Sequence, residues 1–536
     1  MGVWALRSGF PIGVVGLLVG LRLFYWGAAF PNPDEAYYWL WGQHLDWSYF
    51  DHPPLPAWIQ GLFAQTLGRS HWVLRLPTLI SNGLLVLLYG RICQQLYGHQ
   101  SQKSWGITVW LLFTSPLFFL FLAIAWSDHW LILLGTAAGY CWVQALPRET
   151  SEVKLSWLYA TGLCLGLAAL CKYLAVLLAL GCLGAIATYR PWWRLYRNPH
   201  LYGAGLLGLA VTTPIWVWNA HHDWASFQFY LGRSVQAEPS SIQWFGPAFF
   251  LLLSGLILGP AHAWAAIKTL RQQPQTDFAQ AYRRVAFSIA LVSTGSLALL
   301  SLKAPVLYYW NILAYPLLVP LMAGVFLHPA AKPGLRYRRW AMTAQGLGLF
   351  VAFALVIHYA VMPWSAWFGE AGDEDTRMLY GWQEIAAQVQ AQRAQATDAL
   401  LLTTDYRSAS ALAYALNDPT VMVISGRIDQ FDFWYDASAL EGQDAILLGD
   451  RWHPICPAHL AMFDRTSAPI EIPVQRFGVL IKPYQMIVGS GFHAGDGDDY
   501  PLGADYPLAF TTDGEQCRSE ANPAKSIYGI HSRPQY

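Results

Sequence analysis

Apolar residues in this chain come in runs about as long as a bilayer is thick, roughly 20 residues each, with polar residues gathered between them. The first run covers 10–30. Others centre on 76–97, 105–124, 129–146, 156–171, 173–189, 201–219, 244–262, 285–301, 310–327 and 340–361. The pattern predicts about eleven transmembrane helices. Beyond residue 361 it changes to soluble-type patterning. Helical spacing over 376–396 and 408–416, with short apolar runs at 399–403, 421–425, 445–448 and 479–481, predicts a small α/β domain. The expected organisation is a polytopic α-helical membrane domain over 1–361, with its first outer loop at 31–72, followed by an α/β domain over 362–536.

Composition agrees with a membrane chain: 55% of residues are hydrophobic and only 12% charged. A formal net charge of zero, without a basic tail or RNA-binding motif, excludes a nucleic-acid partner on electrostatic grounds. Where the charges lie is more informative. Lys and Arg, from Arg91 through Arg148, Arg194, Lys268 and Arg283 to Arg338, fall on the side shared with the N-terminus. The positive-inside rule then places the N-terminus in the cytoplasm, and the first outer loop and the C-terminal domain on the periplasmic, extracytoplasmic side of a cell inner membrane crossed many times. The first apolar run is followed by Pro31 and Asp34 instead of a small-residue cleavage site, so it reads as an uncleaved anchor. Cys93, Cys141, Cys164, Cys171 and Cys182 lie in apolar spans, where a thiol behaves as a small hydrophobe. Cys456 and Cys517 both lie in the C-terminal domain and are candidates for a disulfide in an oxidising compartment. Walker A, Rossmann and HExxH patterns are absent, as are the paired, Gly-broken helices of inverted-repeat transporters.

The polar residues of most interest sit at the outer ends of the spans. The stretch 31–58, PNPDEAYYWLWGQHLDWSYFDHPPLPAW, sets Asp34, Glu35, Asp46 and Asp51 among Trp and Tyr. Those rings are expected to anchor at the headgroup layer, with sugar stacking as the alternative. Ionisable groups near a bilayer are costly unless paired or in a watery cavity, so Asp34, Glu35, Asp51, His52, Asp128, Lys172, His221, His222, Asp223, Arg233, Lys303, Tyr308 and Tyr309 are candidates. Each has a plainer reading: the outer-loop acids are solvated, Asp128 caps the following helix, Lys172 snorkels, Arg233 meets a headgroup. Adjacent His221 and His222 do not face one point on a regular helix, so no metal site is expected there. A guanidinium such as Arg233 keeps its charge and grips two phosphate oxygens at once.

Taken in order, DEAYYW, YFDHPPLPAW, RLPT, SD before a span, GLAALCKY, NAHHDW with FQFYLGR, KAPVLYYWNILAYP and DYRSASALAYAL resemble the membrane glycosyltransferases of the protein O-mannosyltransferase and aminoarabinose-transferase superfamily, which share the GT-C fold. The resemblance runs over nearly the whole chain. It implies a polyprenyl-phosphate-linked sugar donor such as an undecaprenyl phosphate sugar, a hydroxyl acceptor on a lipid, glycan or protein, membrane lipids as surroundings, and an Asp of the first outer loop as base, which falls on Asp34. Glu35, a helical step of about 100° away, is expected to assist the site by orienting its loop. Where the family often has acidic-Lys-Pro-Pro, this chain has Asp51, His52, Pro53, Pro54. Loss of that Lys shifts leaving-phosphate binding onto a protonated His52 or onto Arg233, Lys172 and Lys303, with Tyr308 and Tyr309 as donors and Asp51, Asp128, His222 and Asp223 in support. No cofactor is expected, since Arg and Lys suffice to neutralise a monophosphate, although some members of the wider fold hold a divalent cation. The competing reading is a flippase for the same lipid, and a weaker one a non-catalytic scaffold. A flippase needs polar groups on both faces, whereas these candidates gather on one.

Overall fold

Prolines and glycines break many of the apolar runs into short helices that meet at sharp angles. The computed structural model describes residues 12–493 except 149–151, 236–241, 305, 328–334, 370–372, 397, 426 and 436–439. Among the described residues, His71–Thr114 and Asp277–Leu300 are long and apolar enough to cross a membrane, and four bent pairs meet the same test if each is one span, up to six in all. The run expected at 244–262 is such a pair: Gly246–Leu258 and Pro260–Thr269 meet at 105°, hinged on Gly259 at φ 108° and followed at once by Pro260. That φ favours glycine, and proline starts a helix readily because its missing N–H would be unpaired there anyway. Val15–Ala28, Leu155–Ala169 and Gly346–Ala360 are shorter apolar helices.

The N-terminal elements set the stage for the site. Helix α1 (Ile12–Ala28) leads into α2 (Pro33–Trp41), then α3 (Leu55–Leu67), α4 (His71–Tyr97) and α5 (Ser101–Thr114). Asn32 and Glu35 form a capping box that starts α2, with Pro33 as its first residue. Helices α4 and α5 fold back on one another at Gly98, φ 52°, so that Trp105 Nε1 donates to Val86 O at 2.8 Å. Helices Leu155–Ala169 and Pro199–Val211 touch through small residues. A Cβ on Gly162 would stand 2.1 Å from Ala204 O, and one on Gly166 2.6 Å from Gly208 O. Gly-x-x-x-Gly against Ala-x-x-x-Gly is the stripe that lets helix backbones meet in a bilayer, where association rests on close packing.

The C-terminal part carries a six-stranded sheet of β1 (Leu400–Thr403), β2 (Met422–Val423), β3 (Ala445–Asp450), β4 (Phe463–Thr466), β5 (Ile470–Arg476) and β6 (Val479–Phe492). Its order is β2-β1-β3-β6-β4, with β5 also on β6; β1 is parallel to β2 and β3, while β6 runs antiparallel to its three neighbours. Every residue of β3 is buried, which explains its unbroken apolar run. The strands read from the sequence at 399–403, 421–425, 445–448 and 479–481 all lie in this sheet. Strands β4 and β5 were not foreseen, since FDRT and the Pro-containing IEIPVQR carry weak strand patterns.

Helices Trp382–Arg393 and Tyr406–Leu416 contribute Trp382, Ile385, Val389 and Leu412 to a core shared with Ile446, Leu448 and Met486 of the sheet and with Tyr37, Tyr38, Trp39, Leu40 and Trp41 of α2. The outer-loop rings are therefore core residues. Trp41 and Tyr49 are fully buried, Trp58 is half-buried, and Trp47, at 57% exposure, is left to anchor at an interface. The anchoring expectation fails for Tyr37, Tyr38, Trp39, Trp41 and Tyr49, which pack into a core shared with the C-terminal domain.

A buried ionic network fastens that domain internally. Asp405 caps helix Tyr406–Leu416 by accepting from Ser408 N at 2.9 Å, Arg407 pairs with Glu374, and Lys482 pairs with Asp450. His453 sits among them, 3.4 Å from Asp450 Oδ1 and 3.9 Å from Asp405 Oδ1. Burial alone, like the nearby Arg407, lowers the His453 pKa; the Asp405 and Asp450 carboxylates outweigh both and hold it above the usual 6.5.

Two measurements on the purified full-length protein follow from this packing. Gly162→Leu should drive its side chain into the Ala204 backbone and cost about 1–3 kcal/mol; an unchanged thermal midpoint would show that these helices do not meet there. Because His453 is easier to protonate folded than unfolded, its stabilisation is complete below about pH 6.5 and fades as pH rises through the raised folded value. The melting temperature of the wild type should fall over that window more steeply than that of His453→Gln, and parallel curves would refute the assignment.

Candidate active site

Asp34 and Glu35 open helix α2, and one helical step turns them in different directions. Glu35 faces inward. Neither it nor Arg75 has any exposed side-chain surface, and their charged atoms meet at 2.7 Å and 3.0 Å. Glu35 also accepts from Ala125 N at 2.7 Å and Asn32 N at 2.9 Å, so both oxygens are fully engaged. Burial raises its pKa, but Arg75 and these N–H donors prevail and hold it below the usual carboxylate range. The remaining donors of Arg75 reach the last carbonyls of α1 and the turn beyond, with Trp26 O at 3.0 Å and Ala29 O at 3.1 Å. Glu35 is thus geometrically a positioning residue, and Asp34, half-buried, is left facing the other way.

The carboxylate of Asp34 is within electrostatic reach of Tyr38, Tyr309 and Tyr406. Those rings connect it to the other polar groups. Tyr38 also feels Asp128 and stacks on His52 at 5.9 Å. Tyr309 lies against Phe121 at 4.9 Å and receives the Lys172 ammonium over its face at 5.7 Å. Lys172 is clamped by both oxygens of Asp128, at 2.9 and 3.0 Å. Asp128 therefore pairs with a cation in place of a capping role, and Lys172, only 13% exposed, is drawn into the site instead of snorkelling.

A second carboxylate is gripped from two sides. Asp51 Oδ2 accepts from Tyr37 Oη at 2.9 Å, and Oδ1 from Arg427 of the C-terminal domain at 2.9 Å. Tyr230 Oη bonds the Asp51 carbonyl and lies 3.1 Å from His52 Nδ1. The Arg427 guanidinium stacks 4.2 Å over Tyr406. The structure thus brings Asp34, Asp51, His52, Asp128, Lys172 and Tyr309 into one cluster and keeps Glu35 beneath it.

The other candidates have different surroundings. His222 stacks on Trp218 at 4.1 Å and its Nδ1 pairs with the Trp218 carbonyl at 2.8 Å. Asp223 is exposed in a left-handed turn at φ 50°. Lys303 is exposed in the turn after Leu300. Tyr308 packs edge-on against Tyr309 at 5.6 Å. Arg233 falls in helix Ala225–Val235, but its side chain, like Cys517, lies outside the described residues. Cys456 is disulfide-bonded. Among the described residues no group of three or more His, Cys, Asp or Glu is arranged to hold a metal. Sequence reasoning missed Arg427, Tyr37, Tyr230 and Tyr406. Tyr406 lay in plain view in the DYRSASALAYAL motif, whereas Arg427 has no local pattern to mark it.

A family model described as dolichyl-phosphate-mannose-protein mannosyltransferase matches residues 51–218. Lipid A galacturonosyltransferase RgtD of Rhizobium johnstonii is 23% identical over 432 residues, 76% of this chain and 84% of the relative. Undecaprenyl phosphate-alpha-4-amino-4-deoxy-L-arabinose arabinosyl transferase 2 of Proteus mirabilis is 23% identical over 293 residues, 50% of this chain and 52% of its own. Among solved structures, ArnT from Cupriavidus metallidurans bound to undecaprenyl phosphate superposes with a TM-score of 0.61 at 17% identity, covering 89% of this chain and 98% of that one. The same protein in the apo state gives 0.58. The fold is that of ArnT, and the resemblance read from the motifs holds.

The inner ion pair is the part of the site whose removal is easiest to read. Glu35→Ala leaves a buried guanidinium without its counter-charge and should cost about 3–5 kcal/mol, seen as a lowered thermal midpoint. Loss of less than about 1 kcal/mol would mean that the carbonyls of α1 hold Arg75 unaided.

Proposed function

From the kinship with GT-C membrane glycosyltransferases we propose that this protein transfers a hexosyl or pentosyl group from a polyprenyl-phosphate donor to a hydroxyl acceptor, inverting the anomeric carbon, with Asp34 as base. The observation that carries the reading is Tyr309, which has the Asp34 carboxylate within electrostatic reach and the Lys172 ammonium over its ring. A base and a cation that both act on one tyrosine ring suit the two ends of a displacement at a sugar carbon.

The acceptor hydroxyl gives its proton to Asp34 as its oxygen bonds the anomeric carbon. The bond from that carbon to the phosphate oxygen breaks, and the phosphate leaves with the electron pair. Lys172 beside the site, His52 when it is protonated, and Arg233 stabilise the developing charge in this reading. A single displacement needs no carboxylate nucleophile, unlike retaining glycosidases. With cationic side chains at the leaving group, no resident divalent ion is required, so a chelator should leave turnover unchanged. The sidedness of Lys and Arg supports an active site on the periplasmic face of the inner membrane, with a cytoplasmic N-terminus.

Transfer from short-chain polyprenyl-phosphate sugars tests the proposal directly. Asp34→Asn should lose about 10²–10⁴-fold in turnover, the usual contribution of a general base, while binding of the lipid phosphate persists. Equal turnover by wild type and Asp34→Asn would remove Asp34 from the chemistry. Binding without transfer from any donor would point to translocation of the lipid instead.

A further inference from the structure

Arg427 is an unusual member of the cluster. It arrives from the segment after β2, yet its hydrogen bond ends on Asp51, 376 positions earlier in the chain. Its partner is nearly buried, with 9% of the Asp51 side chain exposed, while 42% of the Arg427 side chain remains open. The open portion is held in place. One nitrogen is fixed at 2.9 Å to a carboxylate that Tyr37 also grips, and the guanidinium carbon lies 4.2 Å over the centre of the Tyr406 ring. Tyr406 feels both Arg427 and Asp34.

A guanidinium carries five N–H donors in a rigid fork suited to two oxygens of one anion. A surface arginine loses much side-chain freedom when it binds; this one has lost most of it beforehand, through a salt bridge at one edge and a ring on one face.

We propose that Arg427 binds an oxyanion of the substrate, either the phosphate of the lipid donor or a carboxylate on the transferred sugar, making the C-terminal domain part of the substrate site. The identity of the donor rests on the glycosyltransferase reading; the capacity to bind an oxyanion does not.

The test uses the full-length protein in detergent, with Arg427→Gln, which can still donate to Asp51, beside Arg427→Lys and wild type. Binding of a short-chain polyprenyl monophosphate is compared with that of the corresponding polyprenol, and transfer is assayed with paired donors bearing a neutral sugar or its uronate. If phosphate is the ligand, Arg427→Gln weakens monophosphate binding roughly 10- to 100-fold, leaves polyprenol binding unchanged, and Arg427→Lys recovers part of the loss. If a carboxylate is the ligand, monophosphate binding is unchanged and KM rises only for the uronate donor, with kcat retained. Folded Arg427→Gln protein with both parameters unchanged overturns the proposal. So does an equal loss of phosphate, polyprenol and neutral-donor binding that tracks a lower melting temperature, because that is the behaviour of a purely structural bridge. If wild type transfers from no donor, the glycosyltransferase reading fails while the monophosphate arm still decides the role of Arg427.

Discussion

The carboxylate of Glu35 and the guanidinium of Arg75 lie where no water reaches, and each has several other obligations. Arg75 satisfies carbonyls at the end of α1, and Glu35 caps the start of α2 and holds the backbone at Ala125. A helix end buried without partners leaves polar groups orphaned at a cost of kilocalories each. The pair removes that cost at both ends of the α1–α2 junction at once, and in doing so fixes the angle between the first apolar helix and the first outer helix. Asp34 has its direction because its neighbour has none to spare.

The same junction explains why the outer loop and the C-terminal domain form one packed body. Tyr37 receives a hydrogen bond from Gln430 N at 2.9 Å, Phe50 N donates to Gln430 Oε1 at 2.6 Å, and His44 Nε2 pairs with the Pro419 carbonyl at 2.9 Å. These polar links sit beside a shared apolar core. A domain joined to its neighbour by buried aromatics and backbone hydrogen bonds does not behave as a detachable recognition module. Losing it would expose Tyr37, Trp39 and Trp41 to solvent and loosen the carboxylates those rings surround.

How far the sequence discloses this depends on the range over which each cause acts. The capping of α2 is written in Asn32-Pro33-Asp34-Glu35, four adjacent residues, and β1, β2, β3 and β6 follow from short apolar runs. The break at Gly259-Pro260 was also present as a local cue, but continuous hydropathy across 244–262 conceals a bend of 105°, since a hydropathy average is blind to direction. The fate of the outer-loop rings was hidden for another reason. An amphipathic aromatic suits a headgroup layer and a protein core equally well, and the choice is made by a domain several hundred residues later. Lys172 and Asp128 show the same limit in milder form: each alone has a plain local reading, and only their pairing at 2.9 Å makes them parts of one site. Arg427 is the extreme case, since nothing near it in the chain sets it apart.

The bond between Arg427 and Asp51 spans 376 positions, and that distance has a meaning for synthesis as well as for structure. A chain emerging from the ribosome presents its outer-loop acids early and the arginine that neutralises one of them very late. Until the C-terminal sheet has formed, the loop has carboxylates and exposed rings but no finished pocket. An interrupted or clipped chain is thereby left with those acids and rings uncovered instead of with a finished cluster. Completion of the last folded unit acts as the licence for the first.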